Sequence, residues 1–358
     1  MRSRADFVAA TVRPEIRELS AYAVARAAGM IKLDAMENPF ALPQEIRSKV
    51  AAVVADVAVN RYPDGAAEAL KRSLRSALGI EDSWGLVVGN GSDELIQIIV
   101  SALARPGATL LAPEPSFVMY KLCALIAGMR YVGVPLTPDF VLDMEAMRAA
   151  IERERPALVF LAYPNNPTGN LWADAHVEEI VRSAPGLVVV DEAYHAFADR
   201  TFVSRLGDLP NLVVLRTLSK LGMAGLRLGY AIAAPEWTTE LDKLRPPYNV
   251  NVLTQAVAPV LLAQKSLYAD QVASIKAERS RLCAALASMP GVVAFGSETN
   301  FVLARVPDAP RWFARLKEAR ILVKNMHGSH PLLQNCLRMT VGTPTEMDAL
   351  IAALEAIR

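Results

Sequence analysis

Apolar and polar positions divide the chain into two rhythms. From residue 86 to 233, apolar runs of strand length at 86–88, 109–112, 130–134, 157–162, 187–190, 212–215 and 228–233 alternate with stretches of helical period such as 93–104 and 173–183. That alternation predicts βαβ units around a mostly parallel sheet flanked by helices, one large α/β domain. Ser92 stands where the first of these helices needs an N-cap, because its hydroxyl can accept an otherwise unpaired backbone amide. The rhythm then changes. A long Ala- and Leu-rich helical stretch at 252–289 is followed by a strand at 301–306, a helix at 311–318, a strand at 337–341 and a closing helix from Thr345, which predicts a smaller α+β domain. Arg245-Pro246-Pro247 is the clearest boundary signal, since two prolines cannot continue a helix. The organisation read from this is an N-terminal arm with part of the small domain over 1–40, a large domain over 41–245 and a small domain over 246–358.

Length agrees with that division: 358 residues hold about two domains at roughly 100–200 residues each. Composition narrows the partners. Lys and Arg number 38 against 37 Asp and Glu, a net charge of +1, so no overall field recruits nucleic acid and a small-molecule partner is expected. With 53% hydrophobic and 21% charged residues the chain can offset its ordering entropy by burial. Cys123, Cys283 and Cys336 are odd in number and far apart, and the four histidines show no ligand spacing, so reduced structural thiols and no metal are expected. Residues 1–17 carry charges throughout and no apolar core of a signal peptide, and no window approaches a membrane span; a cytoplasmic protein is the expectation.

Four turn-rich segments follow predicted strands, and in open α/β sheets the carboxyl edge is where ligands bind. Gly89-Asn90-Gly91-Ser92-Asp93-Glu94 lets backbone amides and a helix N-terminus approach an anion, and it is neither a dinucleotide fingerprint nor a triphosphate loop. Tyr163-Pro164-Asn165-Asn166-Pro167-Thr168-Gly169 is a stiff loop that holds an Asn amide at a fixed place. The apolar run 187–190 ends in Asp191, a carboxylate that must be paired or hydrogen-bonded if buried. Thr217, Ser219, Lys220 and Arg227 gather two hydroxyls, an amine and a guanidinium between glycines. Singly, each has an ordinary reading as a turn, a cap or a solvated charge. Together they supply what an aldehyde cofactor needs: an amine to condense with it, a carboxylate for its ring nitrogen and donors for its phosphate.

In order and spacing, with 25 residues from Asn166 to Asp191, 29 to Lys220 and 7 to Arg227, these segments resemble the pyridoxal phosphate aminotransferases of fold type I over nearly the whole chain. More narrowly they resemble the histidinol-phosphate aminotransferases, through Glu37-Asn38-Pro39, Arg61-Tyr62-Pro63-Asp64, Gly91-Ser92-Asp93, Pro247-Tyr248-Asn249-Val250-Asn251 and Cys336-Leu337-Arg338-Met339-Thr340-Val341-Gly342. The sequence departs from that pattern at Met36, at Ala21-Tyr22, at Phe117 where a Tyr is usual, and at Lys324 where an Arg is usual. The resemblance implies that Lys220 tethers pyridoxal 5'-phosphate and moves the proton, and that Asp191 pairs with the ring nitrogen. Asn166 and Tyr194 would hydrogen-bond the ring oxygen, and Phe117 would stack on the ring. Gly91, Ser92, Thr217, Ser219 and Arg227 would hold the phosphate, with Asp93 contributing its backbone amide. It further implies that Arg338, helped by Tyr22, Asn38 and Lys324, binds the anionic group of histidinol phosphate or of glutamate and 2-oxoglutarate. Tyr62 would reach the cofactor of the neighbouring subunit in a homodimer.

Three other functions compete with that one. An aromatic or broad-specificity amino-acid aminotransferase and a phosphothreonine-type decarboxylase share the chemistry. A non-catalytic cofactor-binding regulator is a different class, and the short segment before Leu33 leaves no room for the DNA-binding domain it would need.

Overall fold

The computed structural model of the chain describes residues 2–21 and 25–357. Its strands, in chain order, are β1 (Ile31–Leu33), β2 (Gly85–Asn90), β3 (Thr109–Glu114), β4 (Arg130–Pro135), β5 (Leu158–Ala162), β6 (Leu187–Asp191), β7 (Leu212–Thr217), β8 (Leu228–Ala233), β9 (Val293–Ala294), β10 (Phe301–Arg305), β11 (Ile321–Asn325) and β12 (Cys336–Thr340). Seven of them form a sheet in the order β2-β8-β7-β6-β5-β3-β4. Within it β8 runs antiparallel to both neighbours, and the pairs among β3, β4, β5, β6 and β7 are parallel. The mostly parallel sheet read from the apolar runs is present, with every expected strand in place.

Strands β5, β6, β7 and β8 are buried on both faces. Along β6, Leu187 and Val189 enter one apolar cluster while Val188 and Val190 enter the other, which is why the run carries no polar alternation. Helices Ser92–Leu103 and Val118–Ile126 cover one face, and helices Glu68–Leu78, Met144–Glu154 and Asp174–Ser183 cover the other. The N-cap of the first of these helices is Gly91, not Ser92, which is the first helical residue. The chain reverses there at φ +85°, a conformation that glycine adopts without penalty and serine does not.

The second sheet, β1-β11-β12-β10-β9, is antiparallel except for the parallel pair β1–β11. It packs against helices Lys265–Ala287, Ala309–Glu318 and Pro344–Ala356 around a separate core that includes Leu33, Phe301, Trp312 and Leu350. Pairing of residues 31–33 with residues 321–323 ties the N-terminal arm to this smaller unit. The stretch 252–289 is two helices, broken at Ala263 and Gln264. The first, Val252–Leu262, packs on helices Gln44–Ala55 and Glu68–Leu78, so it lies with the large unit although it follows Arg245-Pro246-Pro247. Among the described residues no helix is long and apolar enough to cross a membrane, and the three cysteines are free thiols.

Candidate active site

The carboxyl ends of β5, β6 and β7 open into a cavity of about 200 Å³ whose wall includes Asn166, Asp191, Tyr194, Thr217, Ser219, Lys220 and Arg227. Asp191 is the last residue of β6 and is buried. One carboxylate oxygen accepts from the Tyr120 hydroxyl at 2.7 Å, and the other from the Ala193 amide at 3.1 Å. Burial pushes its carboxyl up to about 6 against these two donors. Glu192, the next residue, faces away from the cavity and is held by Arg216 through Nε at 2.9 Å and Nη2 at 2.8 Å, by the Thr201 hydroxyl and by the Phe202 amide.

Lys220 sits on a single π-turn, Ser219–Met223, immediately after β7. Gly222 closes that turn at φ +124°, and a Cβ there would stand 3.1 Å from both Asn38 Nδ2 and the Tyr268 ring, so only glycine fits without displacing its neighbours. The Lys220 ammonium donates to the Ala35 carbonyl at 3.4 Å and lies 5.8 Å from the centre of the Tyr194 ring. Burial, with the Arg338 charge adding to it, pulls the amine down to about 8. About a tenth of it is therefore neutral at pH 7, far more than for an ordinary lysine.

Arg227 forms one end of the cavity. Its guanidinium donates to the Ser219 hydroxyl at 3.4 Å and pairs with the Asp93 carboxylate at 3.3 Å. The Thr217 hydroxyl lies 2.9 Å from that of Ser219, and a Cβ on Gly91 would come within 2.7 Å of the same guanidinium. Hydroxyls, a cation and the N-terminus of helix Ser92–Leu103 thus converge on one spot, an arrangement suited to a phosphate. Asp93 contributes a carboxylate that pairs with the cation of this group, a contact the sequence did not suggest.

From the smaller unit, Arg338 on β12 donates to the Asn166 side-chain oxygen at 2.5 Å and to the Asp34 carbonyl at 3.1 Å, with its guanidinium 5.3 Å from the Phe301 ring. The two adjacent asparagines have separate tasks. Asn165 is fully buried and spans Pro115, Ser116 and Thr168, fixing the loop, while Asn166 reaches the cavity. Phe117 caps helix Val118–Ile126 and lines the cavity, as do Ser92, Asp93 and Tyr194.

Arg338 and Gly91 adjoin the cavity through Asn166 and Arg227 without bordering it, three further expected residues stand elsewhere, and one cannot be placed. Asn38 lies behind the lysine turn, donating to the Leu221 carbonyl at 3.0 Å and to Gln271 at 2.9 Å while accepting from the Phe40 amide. That spends its amide on holding the turn, and it does not border the cavity. Lys324 is paired in register with Arg338 across β11 and β12, outside the cavity wall. Tyr62 is 82% exposed and stacked on Tyr248 at 4.6 Å, away from the cavity of its own chain. Tyr22 lies outside the described residues. Sequence reasoning missed Tyr120 and the wall formed by Ala35, Met36 and Glu37. The signal for Tyr120 was its place one helical turn after Phe117 in an apolar helix.

Residues 28–354 match the family described as aminotransferase class I and II. The chain is 58% identical over 344 residues to a histidinol-phosphate aminotransferase of Chromobacterium violaceum, covering 96% of this chain and 97% of that protein. It is 50% identical over 359 residues to histidinol-phosphate aminotransferase 1 of Ralstonia nicotianae, covering 98% and 96%. Among solved structures, the histidinol-phosphate aminotransferase of Sinorhizobium meliloti in complex with pyridoxal-5'-phosphate superposes with a TM-score of 0.86 at 28% identity, covering 97% of each chain.

Proposed function

The chain belongs to the aminotransferase class I and II family, and on that premise we propose that it transfers an amino group between histidinol phosphate and 2-oxoglutarate. The products are imidazole acetol phosphate and glutamate, in a reversible step of histidine biosynthesis, and the cofactor is pyridoxal 5'-phosphate. The observation that carries this reading is one cavity with a buried carboxylate on its floor, an amine in its wall and a hydroxyl-lined guanidinium at its end, in a chain 58% identical to a protein of that name.

The residues fit the cofactor. Asp191 is a buried carboxylate without an ion-pair partner among the described residues, suited to a protonated ring nitrogen. The space in front of Arg227 exists because position 91 is glycine. When bound, pyridoxal phosphate supplies an aldehyde that accepts the amino group and an electron-withdrawing ring that stabilises negative charge on the carbon losing its proton.

Each residue then has a task. Arg227, Ser219, Thr217, Ser92 and the amides at Gly91 and Asp93 hold the phosphate. Asp191 holds the proton on the ring nitrogen. Asn166 and Tyr194 meet the ring oxygen, and Phe117 covers the ring face. Lys220 would accept and hold the proton lost from the substrate carbon that bears nitrogen, a task suited to an amine near 8. Arg338 meets the carboxylate of glutamate or the phosphate of histidinol phosphate, the orientation of its fork set by Asn166 and Asp34. Lys324, one strand away, adds positive charge on the substrate side. Asn38 supports the lysine turn.

The chain works in the cytoplasm as a homodimer in which Tyr62 reaches the partner's phosphate site; the exposed Tyr62–Tyr248 stack supports this reading. Rates with histidinol phosphate, phenylalanine and phosphothreonine, with 2-oxoglutarate as acceptor, test the function. Histidinol phosphate should be the preferred donor, and preference for phenylalanine would move the chain to the aromatic aminotransferases. Mixing Lys220→Ala and Tyr62→Phe subunits tests the shared site. After confirmed subunit exchange, activity should depart from the parental average, and strict averaging would argue for independent sites.

A further inference from the structure

We infer that Tyr120 is a positioning residue for this reaction: its phenol fixes the orientation of Asp191 and keeps it in the carboxylate form that meets the cofactor's ring nitrogen. The inference rests on the cofactor assignment made above. Tyr120 is fully buried and sits one turn into helix Val118–Ile126, with its ring stacked on Phe160 of β5 at 4.4 Å and edge-on to Phe117 at 5.7 Å. These contacts leave the hydroxyl one direction, toward Asp191 at 2.7 Å. The phenol is held well above its ordinary range by burial, so it remains a donor at every working pH. A hydroxyl that only donates to a carboxylate favours the ionised carboxylate.

The other groups around Asp191 make that donor necessary. The Ala193 amide is its second donor. Glu192 and Asp93 both add negative charge that opposes ionisation, and each has its own arginine, Arg216 and Arg227. Lys220 and Tyr194 stand on the cavity side. Without the phenol, Asp191 would keep one donor amid burial that already pushes it up to about 6, and a protonated acid cannot pair with a ring that must itself stay protonated.

The test uses apoprotein and pyridoxamine 5'-phosphate, which carries the same ring and phosphate and forms no bond to Lys220. Tyr120→Phe should weaken its binding about tenfold at pH 7, as expected for a lost hydrogen bond to a charged group, and should move the acid limb of binding upward by about one pH unit. An analogue with carbon in place of the ring nitrogen should bind wild type and variant alike. Equal affinity and an unmoved acid limb would overturn the inference, as would equal weakening toward both ligands, which marks a structural role alone. Should Tyr120→Phe not fold, trifluorotyrosine at position 120, near-isosteric and a stronger donor, should move the acid limb downward, and no movement would overturn the inference. Failure of wild-type protein to bind pyridoxamine phosphate at all would overturn the cofactor assignment itself, and the Tyr120 role with it.

Discussion

Asp191 and Glu192 are consecutive and both buried, yet they face opposite sides of the sheet edge into different chemistry. On the far side Glu192 has an arginine that donates twice to one oxygen, and a hydroxyl and a backbone amide on the other. On the cavity side Asp191 has one phenol and one amide. The difference separates a carboxylate that closes a structure from one kept for a ligand, because a buried charge is tolerable only when compensated. Glu192 is compensated within the fold. Asp191 has no cation of its own among the described residues and borders the cavity, and a carboxylate at a strand end does not say in the sequence which case applies.

The largest expected effect lies on the cavity side. Lys220→Ala should abolish multiple turnover, a loss beyond the roughly 10²–10⁴-fold attributable to general acid–base catalysis alone, together with the visible absorbance of the holoenzyme. Retained turnover would remove the lysine from the mechanism. Isosteric changes at the two carboxylates should then separate activity from stability. Glu192→Gln should destabilise the protein by about 3–5 kcal/mol in denaturant unfolding, because Arg216 is left buried and uncompensated. Asp191→Asn should leave the apoprotein folded and lower kcat by about 10²–10³-fold, the scale of losing one preorganised electrostatic group. If Glu192→Gln proves the less destabilising of the two, the contrast drawn here fails.

Acidity gives a finer measure of the same contrast. The Asp191 carboxyl ionises near its ordinary 3.8 in the unfolded chain and at about 6 in the folded apoprotein. Between those values the folded state holds the extra proton, so this group makes stability fall as pH rises through the window. Apo wild type should lose roughly 2 kcal/mol relative to Asp191→Asn between pH 4 and pH 6, the larger part of the roughly 3 kcal/mol that a shift of about two units carries over the whole titration. Parallel stability curves for the two proteins would show that Asp191 is not strained by burial. The smallest effects belong to the substrate side. Arg338→Ala should weaken glutamate and histidinol phosphate together by about tenfold to a hundredfold, the scale of hydrogen bonds to a charged group. Lys324→Ala should weaken the phosphorylated substrate more than glutamate, and equal weakening would end its role in phosphate selection.

Much of the large unit was legible because its candidate site residues lie within a few residues of a strand end: Asn166 after β5, Asp191 at the end of β6, and Lys220 just beyond β7. An apolar run followed by a polar residue is a local signal. The smaller unit was less legible because its geometry is non-local. β1 and β11 are short and pair across nearly the whole chain, so neither announces itself by periodicity, and the wall at Ala35, Met36 and Glu37 was missed with them. Asn38 was read as a substrate ligand because its residue type and motif suited one. Only the contacts to Leu221 and Gln271 reveal that its amide is already committed. Tyr120 was hidden by its apolar helix, where a tyrosine reads as core.

The parallel pairing of β1 with β11 also sets an order of assembly. Synthesis proceeds from the N-terminus, and domains generally fold as units during it, yet the segment before Asp34 has no strand partner until residues 321–323 have been made. The seven-stranded sheet, complete at Ala233, can form while the ribosome is still translating the remainder, whereas the Ala35–Glu37 wall must wait. A nascent chain therefore carries the Arg227 end of the cavity before it carries the wall that encloses the lysine, and a chain truncated before β11 should keep the former without the latter.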